Sequence, residues 1–290
     1  MLLFIIIFII IQYIIMKNHF IFSYSGNKRN EVQNLYYYLD LNNISTIIET
    51  NCGTSALSYY LHTLHPNKFK YVLNDNSTVL MELYKILMDV DLSTKLNGEI
   101  NKLIDTFNTF EDEKERQIWW NNLRKIHTNS NIYIFIFIQK YGQLQGKMHP
   151  PFKRILKIKP FNCDDYKITH FLRTENVEIV LGNDIDICKK YKDHEDVLIF
   201  LDPPYLNTSN GEYSDYILNI YEYIYNNNIN DWKANTYLIL ENIWIIRLLF
   251  KDNFMTEPYD KTYEGSRKKT NHIIISNRDL NLNKITFKFN

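Results

Sequence analysis

Short apolar runs that end on polar or acidic residues recur along this chain, separated by stretches long enough for a helix. The runs predict strands over 46–49, 70–73, 176–180, 197–201, 236–240 and 272–276. Their ends are Glu49, Asn74-Asp75, Gly182-Asn183-Asp184, Asp202 and Glu241-Asn242, and the last run closes on Ser276. After the first run come the small polar residues Thr50-Asn51-Cys52-Gly53-Thr54-Ser55. The segment from Ala56 to Leu61 then has helical character, with Thr54 or Ser55 as its N-cap. Strands alternating with helix-length segments predict a doubly wound α/β domain.

About a hundred residues, 76–175, interrupt this alternation with a mixed-charge segment (111–116), a Trp119-Trp120 pair and the apolar run Ile132 to Ile138. They are expected to form an inserted, mainly helical subdomain, leaving 16–75 and 176–290 for the α/β part. Residues 1–15 stand apart. Leu2 to Ile15 is almost wholly Ile, Leu and Phe, yet shorter than the ~18 apolar residues of a spanning helix. It has neither a basic leader nor a small-residue cleavage site. A membrane anchor and a translation start at Met16 are both open for it, with the anchor not favoured.

Charge changes the picture only locally. Basic and acidic residues balance at 33 each, so any contact with nucleic acid must come from a patch and not from the overall field. The three cysteines, Cys52, Cys163 and Cys188, are far apart, and no histidine stands at metal-ligand spacing from them. A disulfide framework and a structural zinc are not expected, and the setting implied is intracellular and reducing.

The fourth run, Val197 to Leu201, ends in Asp202-Pro203-Pro204-Tyr205. Ligands of open α/β sheets sit beyond the carboxyl ends of the strands. The prolines lack N–H donors and fix φ, so the corner is stiff and its carbonyls are free to accept. A carboxylate, a free carbonyl and a ring on one stiff corner can grip a flat heteroaromatic carrying an exocyclic amine. On the amino side, Gly53 lies where a strand turns into a helix, and Asp75 follows it at about the ~20-residue spacing of an acid that binds ribose hydroxyls. An ordinary βα turn remains the alternative for either residue alone; the pair points to a nucleoside cofactor.

In this order the motifs resemble those of the Dam-type adenine-N6 DNA methyltransferases, across roughly residues 20 to 280. The family's W-x-G-G-K stretch is similar to Tyr24-Ser25-Gly26-Asn27-Lys28, and its E-P-F-x-G-x-G motif to Glu49 through Ser55. Asp75 and Asp184 fall where the family has acids that contact the cofactor, and D-P-P-Y is intact. A late K-K-x-N-E-x-L-I-x-N stretch resembles Lys268 to Asn277, with His272 in place of the acid. Thr50, Asn51 and Ser55 depart from the Pro, Phe and second Gly of the cofactor motif.

The resemblance implies a Rossmann-like class I methyltransferase sheet, with residues 76–175 as the target-recognition insert. It implies S-adenosyl-L-methionine as cofactor, held by Tyr24, Lys28, Glu49, Cys52, Gly53, Asp75, Asp184 and Asp202. It also implies a catalytic corner of Asp202, Pro203, Pro204 and Tyr205 acting on the N6 amine of a flipped adenine in double-stranded DNA. No metal is called for, and a monomer is expected. Lys147, Lys153, Arg154 and Lys157, in a stretch without acids, and Lys268 and Lys269 are the candidate DNA contacts; a solvated basic surface is the alternative for each. A second class of function, a lapsed methyltransferase fold that binds nucleic acid or a partner without catalysis, is favoured by the altered cofactor motif and opposed by the intact D-P-P-Y. RNA or a protein glutamine is a third possible target for such a corner.

Overall fold

The structure is a computed structural model that describes residues 16–24, 26–126, 131–143, 150–206, 214–262 and 269–280. The apolar run 2–15 lies outside the described residues. In chain order the helices are α1 (Val32–Tyr36), α2 (Ala56–Leu64), α3 (Thr78–Met88), α4 (Val90–Thr109), α5 (Glu113–Ile126), α6 (Ile132–Tyr141), α7 (Lys167–Leu172), α8 (Asp184–Tyr191), α9 (Ser214–Asn226) and α10 (Trp244–Leu249). The strands are β1 (Thr46–Glu49), β2 (Lys70–Asp75), β3 (Val177–Leu181), β4 (Val197–Leu201), β5 (Asn235–Glu241), β6 (Phe254–Met255), β7 (Tyr259–Thr262) and β8 (Lys269–Ser276).

Contacts divide the chain into two compact units. One comprises the described residues of 28–76 and 178–280, the other those of 16–27 and 77–177. The first unit is built on the sheet, whose order is β3-β2-β1-β4-β5-β8-β6, with β7 also paired to β8. β1 runs parallel to both β2 and β4, and β4 parallel to β5, while β8 is antiparallel to β5. This is a mostly parallel, Rossmann-like sheet, as expected. β4 is buried at every position, which is why it reads as an unbroken apolar run. β3, at the edge, is half exposed and carries Glu178 among its apolar residues.

Strand order explains where the chemistry collects. The chain moves outward through β1, β2 and β3, then returns to place β4 on the other side of β1. Connections from β1 and β4 therefore leave in opposite directions, and a crevice opens at their carboxyl ends. Register brings Glu49 opposite Phe200, and Thr50 N–H donates to the Phe200 carbonyl at 3.1 Å. Because β8 is antiparallel, its first half lies at this same end of the sheet, with His272 opposite Glu241.

In the second unit, Trp120 of α5 and Phe137 of α6 are essentially buried with ring centres 5.6 Å apart, and the Trp120 indole N–H donates to the Pro150 carbonyl at 3.3 Å. Residues 16–22 are held against it by backbone bonds, Lys167 N–H to Asn18 O and Ile168 N–H to His19 O. The stretch 158–163 is docked on α4 by three asparagines. Asn97 accepts from Cys163 N–H (2.8 Å). Asn101 both accepts from Phe161 N–H (2.7 Å) and donates to its carbonyl (2.9 Å). Asn108 does the same for Ile158, both bonds at 2.9 Å. A primary amide presents one donor and one acceptor side by side, so each asparagine stands in for a residue of a neighbouring strand.

Removing one such amide strands two backbone groups at once. Asn101→Ala should destabilise the protein by about 1–3 kcal/mol, seen as a lower midpoint in urea unfolding; an unchanged midpoint would show that water replaces the amide without loss.

Candidate active site

Two adjacent turns build the site in the sheet unit. The turn after β1 is folded by its neighbours: Cys52 N–H donates to the Asn74 carbonyl (2.8 Å) and Gly53 N–H to the Asp75 carboxylate (3.0 Å). Gly53 has a φ of +50°, where a residue without Cβ is least strained. Ser55, standing where the cofactor motif has its second glycine, holds the same left-handed conformation (φ 51°). It occupies the N-cap position of α2 as expected, yet its side chain makes no capping bond. Glu49 caps instead, accepting Ser58 N–H at 2.7 Å from the end of β1.

Asn74 is a hub that the strand pattern does not reveal. Its side-chain amide donates to the Thr50 carbonyl (2.7 Å) and the Gly182 carbonyl (3.1 Å), tying together the ends of β1, β2 and β3. Asn51, in the place of the motif's Phe, donates to the Asp184 carboxylate at 3.3 Å. The structure thus gathers Glu49, Cys52, Gly53, Asp75 and Asp184, all at the carboxyl ends of β1, β2 and β3. Burial pushes the Cys52 thiol well up, so it is no nucleophile.

The second turn follows β4. Asp202 pairs with Lys28 Nζ at 2.5 Å, and the Tyr205 hydroxyl donates to its other oxygen at 3.3 Å. Lys28 also lies 5.4 Å from the Tyr205 ring centre. Pro203 is buried and Pro204 half-buried. Burial pushes the Asp202 carboxyl up, and the charge and hydrogen bond of Lys28 work against that rise.

Behind Lys28 stands Glu31, brought to the same side by a tight turn in which the Lys28 carbonyl accepts Glu31 N–H at 2.7 Å. Glu31 accepts from Lys261 Nζ, from His272 Nδ1 (2.8 Å) and from the Tyr259 hydroxyl (3.0 Å). Burial alone would raise its pKa, but the His272 hydrogen bond and the Lys28 and Lys261 charges carry it down to about 2. Glu31 and Lys261 are the members of this cluster that sequence reasoning missed. The one signal for Glu31 was its place three residues after Lys28; Lys261 offered none.

Other expected residues lie elsewhere. Tyr24 belongs to the other unit, where its carbonyl accepts Asn27 N–H at 3.2 Å. Lys153, Arg154 and Lys157 are exposed in that unit, and Arg154 is paired with Glu113 at 2.6 Å. Lys269 opens β8 opposite Thr262; Lys147 and Lys268 lie outside the described residues. Among the described residues no three His, Cys, Asp or Glu side chains are grouped to hold a metal, and no helix is long and apolar enough to cross a membrane. All three cysteines are free and buried.

A Rossmann-like sheet with an acid after each of β1, β2 and β3 and a D-P-P-Y corner after β4 defines a class I methyltransferase. The chain belongs to the D12 class N6 adenine-specific DNA methyltransferase family, whose sequence model matches residues 24–229. No curated protein matches it in sequence. Among solved structures it is similar to a precorrin-6y C5,15-methyltransferase from Geobacter metallireducens (9% identity, 88% of this chain and 93% of that one, TM-score 0.38). It is also similar to the rRNA methyltransferase aviRa from Streptomyces viridochromogenes (11% identity, 89% of each chain, TM-score 0.39).

S-adenosyl-L-methionine is the cofactor of this family, and the residues present fit it. Asp75 offers a carboxylate for hydroxyl donors, the Gly53 turn brings backbone close without a Cβ, and the buried Asn74 Oδ1 has no protein partner; Asp184, expected beside them, is fully buried with its oxygens accepting from Asn51 and from Ile185 N–H.

Burial, with the Asp202 charge adding to it, pushes Glu49 up to about 7. Its protonated form is therefore favoured on folding, and its contribution to stability is complete below about 4.5 and lost as pH rises through about 7. Glu49→Gln keeps an acceptor for Ser58 N–H but cannot titrate. Thermal unfolding of the variant should lose that decline between pH 5 and 8; a slope equal to wild type would place the titration on another group.

Proposed function

We propose that this protein transfers a methyl group from S-adenosyl-L-methionine to the N6 amine of an adenine in double-stranded DNA. The observation that carries the reading is Asp202, half-buried at the order reversal of the sheet beside the Gly53 turn and kept in an ion pair by Lys28. When bound, the cofactor supplies an electrophilic methyl group. The chain's part is to make a poor nucleophile competent. The lone pair of the adenine amine is delocalised into the ring until its N–H bonds are accepted in a geometry that draws the nitrogen toward tetrahedral.

The Asp202 carboxylate and the Pro203 carbonyl are the two acceptors, the charged one forming the stronger bond. A carboxylate has about four acceptor positions, so Lys28 and Tyr205 leave room on Asp202 for the amine. Tyr205 offers its ring to a base flipped out of the duplex, since the target atom is out of reach inside the stack. Positioning is the main catalytic contribution. Glu49, Cys52, Gly53, Asp75 and Asp184 hold the cofactor, and Glu49 in its protonated form avoids placing a second negative charge near Asp202. The exposed Lys153 and Lys157 of the other unit, with Lys147, Arg154, Lys268 and Lys269, are proposed to meet DNA phosphates.

The test is N6-methyladenine in the DNA of a methylase-free host expressing the full chain. Mark in the wild type and none in Asp202→Ala is the expected result, and sequencing the marked sites gives the recognition sequence. No mark in either, with folded protein that binds S-adenosyl-L-methionine by calorimetry, would point to another methyl acceptor; no cofactor binding would mean a lapsed enzyme.

Lys28→Gln leaves Asp202 without its counter-charge, so the carboxyl rises further and is less ionised at a given pH. The acid limb of the kcat profile should move to higher pH, with kcat at pH 7 reduced by about 10- to 100-fold. An unmoved acid limb would remove Lys28 from this role.

A further inference from the structure

His272 is buried completely, 241 positions away in sequence from the carboxylate it touches. A carboxylate at a pKa of about 2 can only accept, so His272 Nδ1 carries the proton of the 2.8 Å bond to Glu31. Its Nε2 lies 3.3 Å from the Thr270 hydroxyl, so both ring nitrogens have a partner. The same ring stands edge-on to Tyr205, with centroids 5.0 Å apart and planes at 79°, and near the Tyr259 ring at 6.0 Å. One side chain therefore touches both the acid behind the catalytic corner and the aromatic ring of that corner.

The charges alternate: Asp202 negative, Lys28 positive, Glu31 negative, Lys261 positive. These four charges sum to zero in a volume where each of the side chains is at most 15% exposed. Buried charges persist only when paired and hydrogen-bonded. Glu31 is the hinge of that order, since it must face Lys261 while its charge also acts on Lys28. The His272 bond fixes the oxygen that Lys261 does not take.

We infer that His272 is a positioning residue for methyl transfer, holding Glu31 in register with the two lysines and the Tyr205 ring against Asp202. This rests on the function proposed above for Asp202 and Tyr205. His272 touches neither reacting group. It acts through Glu31 on the ion pair and through ring contact on Tyr205.

A charge exchange across the 2.8 Å contact tests this. His272→Glu sets two carboxylates face to face; Glu31→Gln with His272→Glu restores one carboxylate and one donor, with their places swapped. Two readouts are taken on the full chain: kcat and KM for DNA and for cofactor, and the pH midpoint of the Asp202 side-chain carboxyl by carbon-13 NMR, assigned with Asp202→Asn. The single variant should lose about 100-fold in kcat, with the cofactor KM changed less than about 3-fold. Its Asp202 midpoint should rise. The double variant should recover at least about 10-fold of that kcat and return the midpoint toward wild type.

A double variant no better than the single in both readouts would overturn the inference, as would a single variant with wild-type kcat and midpoint. If the single variant does not fold by circular dichroism, His272→Asn replaces it, keeping a donor toward Glu31 but no ring. It should hold the Asp202 midpoint and raise the KM for DNA; a shifted midpoint with unchanged KM would be contrary. Were wild type itself inactive on DNA, the proposed function would fall, and the NMR midpoints would still decide whether His272 governs Asp202.

Discussion

A largely desolvated carboxylate held in an ion pair is the constraint around which this end of the sheet is organised. Asp202 sits at the end of a strand buried at every position, where desolvation favours the neutral acid. Lys28 answers that, but a buried ammonium needs its own compensation. Glu31 supplies it, and Lys261 in turn neutralises Glu31. The four come from the segment before α1, the end of β4 and the strand β7, so the sheet and its N-terminal approach must assemble before any of them is satisfied. A cluster of this kind adds little net stability compared with an apolar core; what it secures is one arrangement of one carboxylate.

The cofactor side is built on a different economy. There the binding groups are backbone and short acids, and the work of holding them falls to Asn74 and Asn51. Asn74 bridges Thr50 and Gly182, and Asn51 holds the Asp184 carboxylate. The substitution of Phe by Asn in the cofactor motif thus exchanges an apolar contact for a polar tie between the β1 turn and the start of α8. Ser55, in the place of the motif's second glycine, holds a left-handed backbone at a cost of order 1–2 kcal/mol. The helix that follows does not depend on its hydroxyl, because Glu49 caps α2 from the strand.

These differences explain which parts were legible in the amino-acid sequence. Strands β1, β2, β4, β5 and β8 were, because burial on both faces leaves apolar runs, and the edge strand β3 kept enough apolar residues, Val177, Ile179, Val180 and Leu181, to read as one despite its exposure. Asp202 through Tyr205, Gly53 and Asp75 were visible for the same reason: their meaning is local, a stiff corner or an acid at a set distance. β6 and β7 escaped, being short and mixed in character, with Phe254-Met255 only two residues long. The Glu31–Lys261–His272 cluster escaped for a deeper reason. Its members are 230 and 241 positions apart, and a charged residue destined for burial looks the same in a sequence as one destined for solvent.

The basic stretch of the other unit shows the converse, a local pattern whose meaning depends on what holds it. Lys153, Arg154, Lys157 and Lys159 form a run without acids, but folding brings Glu113 of α5 to Arg154 and removes one positive charge from the set. The run leads directly into residues 158–163, which Asn97, Asn101 and Asn108 fix on α4. Those amide bonds order the chain next to the lysines on folding, so a partner that meets them need not supply that part of the ordering. Phosphate contacts position a protein on DNA without reading sequence. On the DNA reading proposed above, the order that Asn97, Asn101 and Asn108 give to 158–163 helps the neighbouring lysines as much as a further charge would, in a chain whose overall charge is zero.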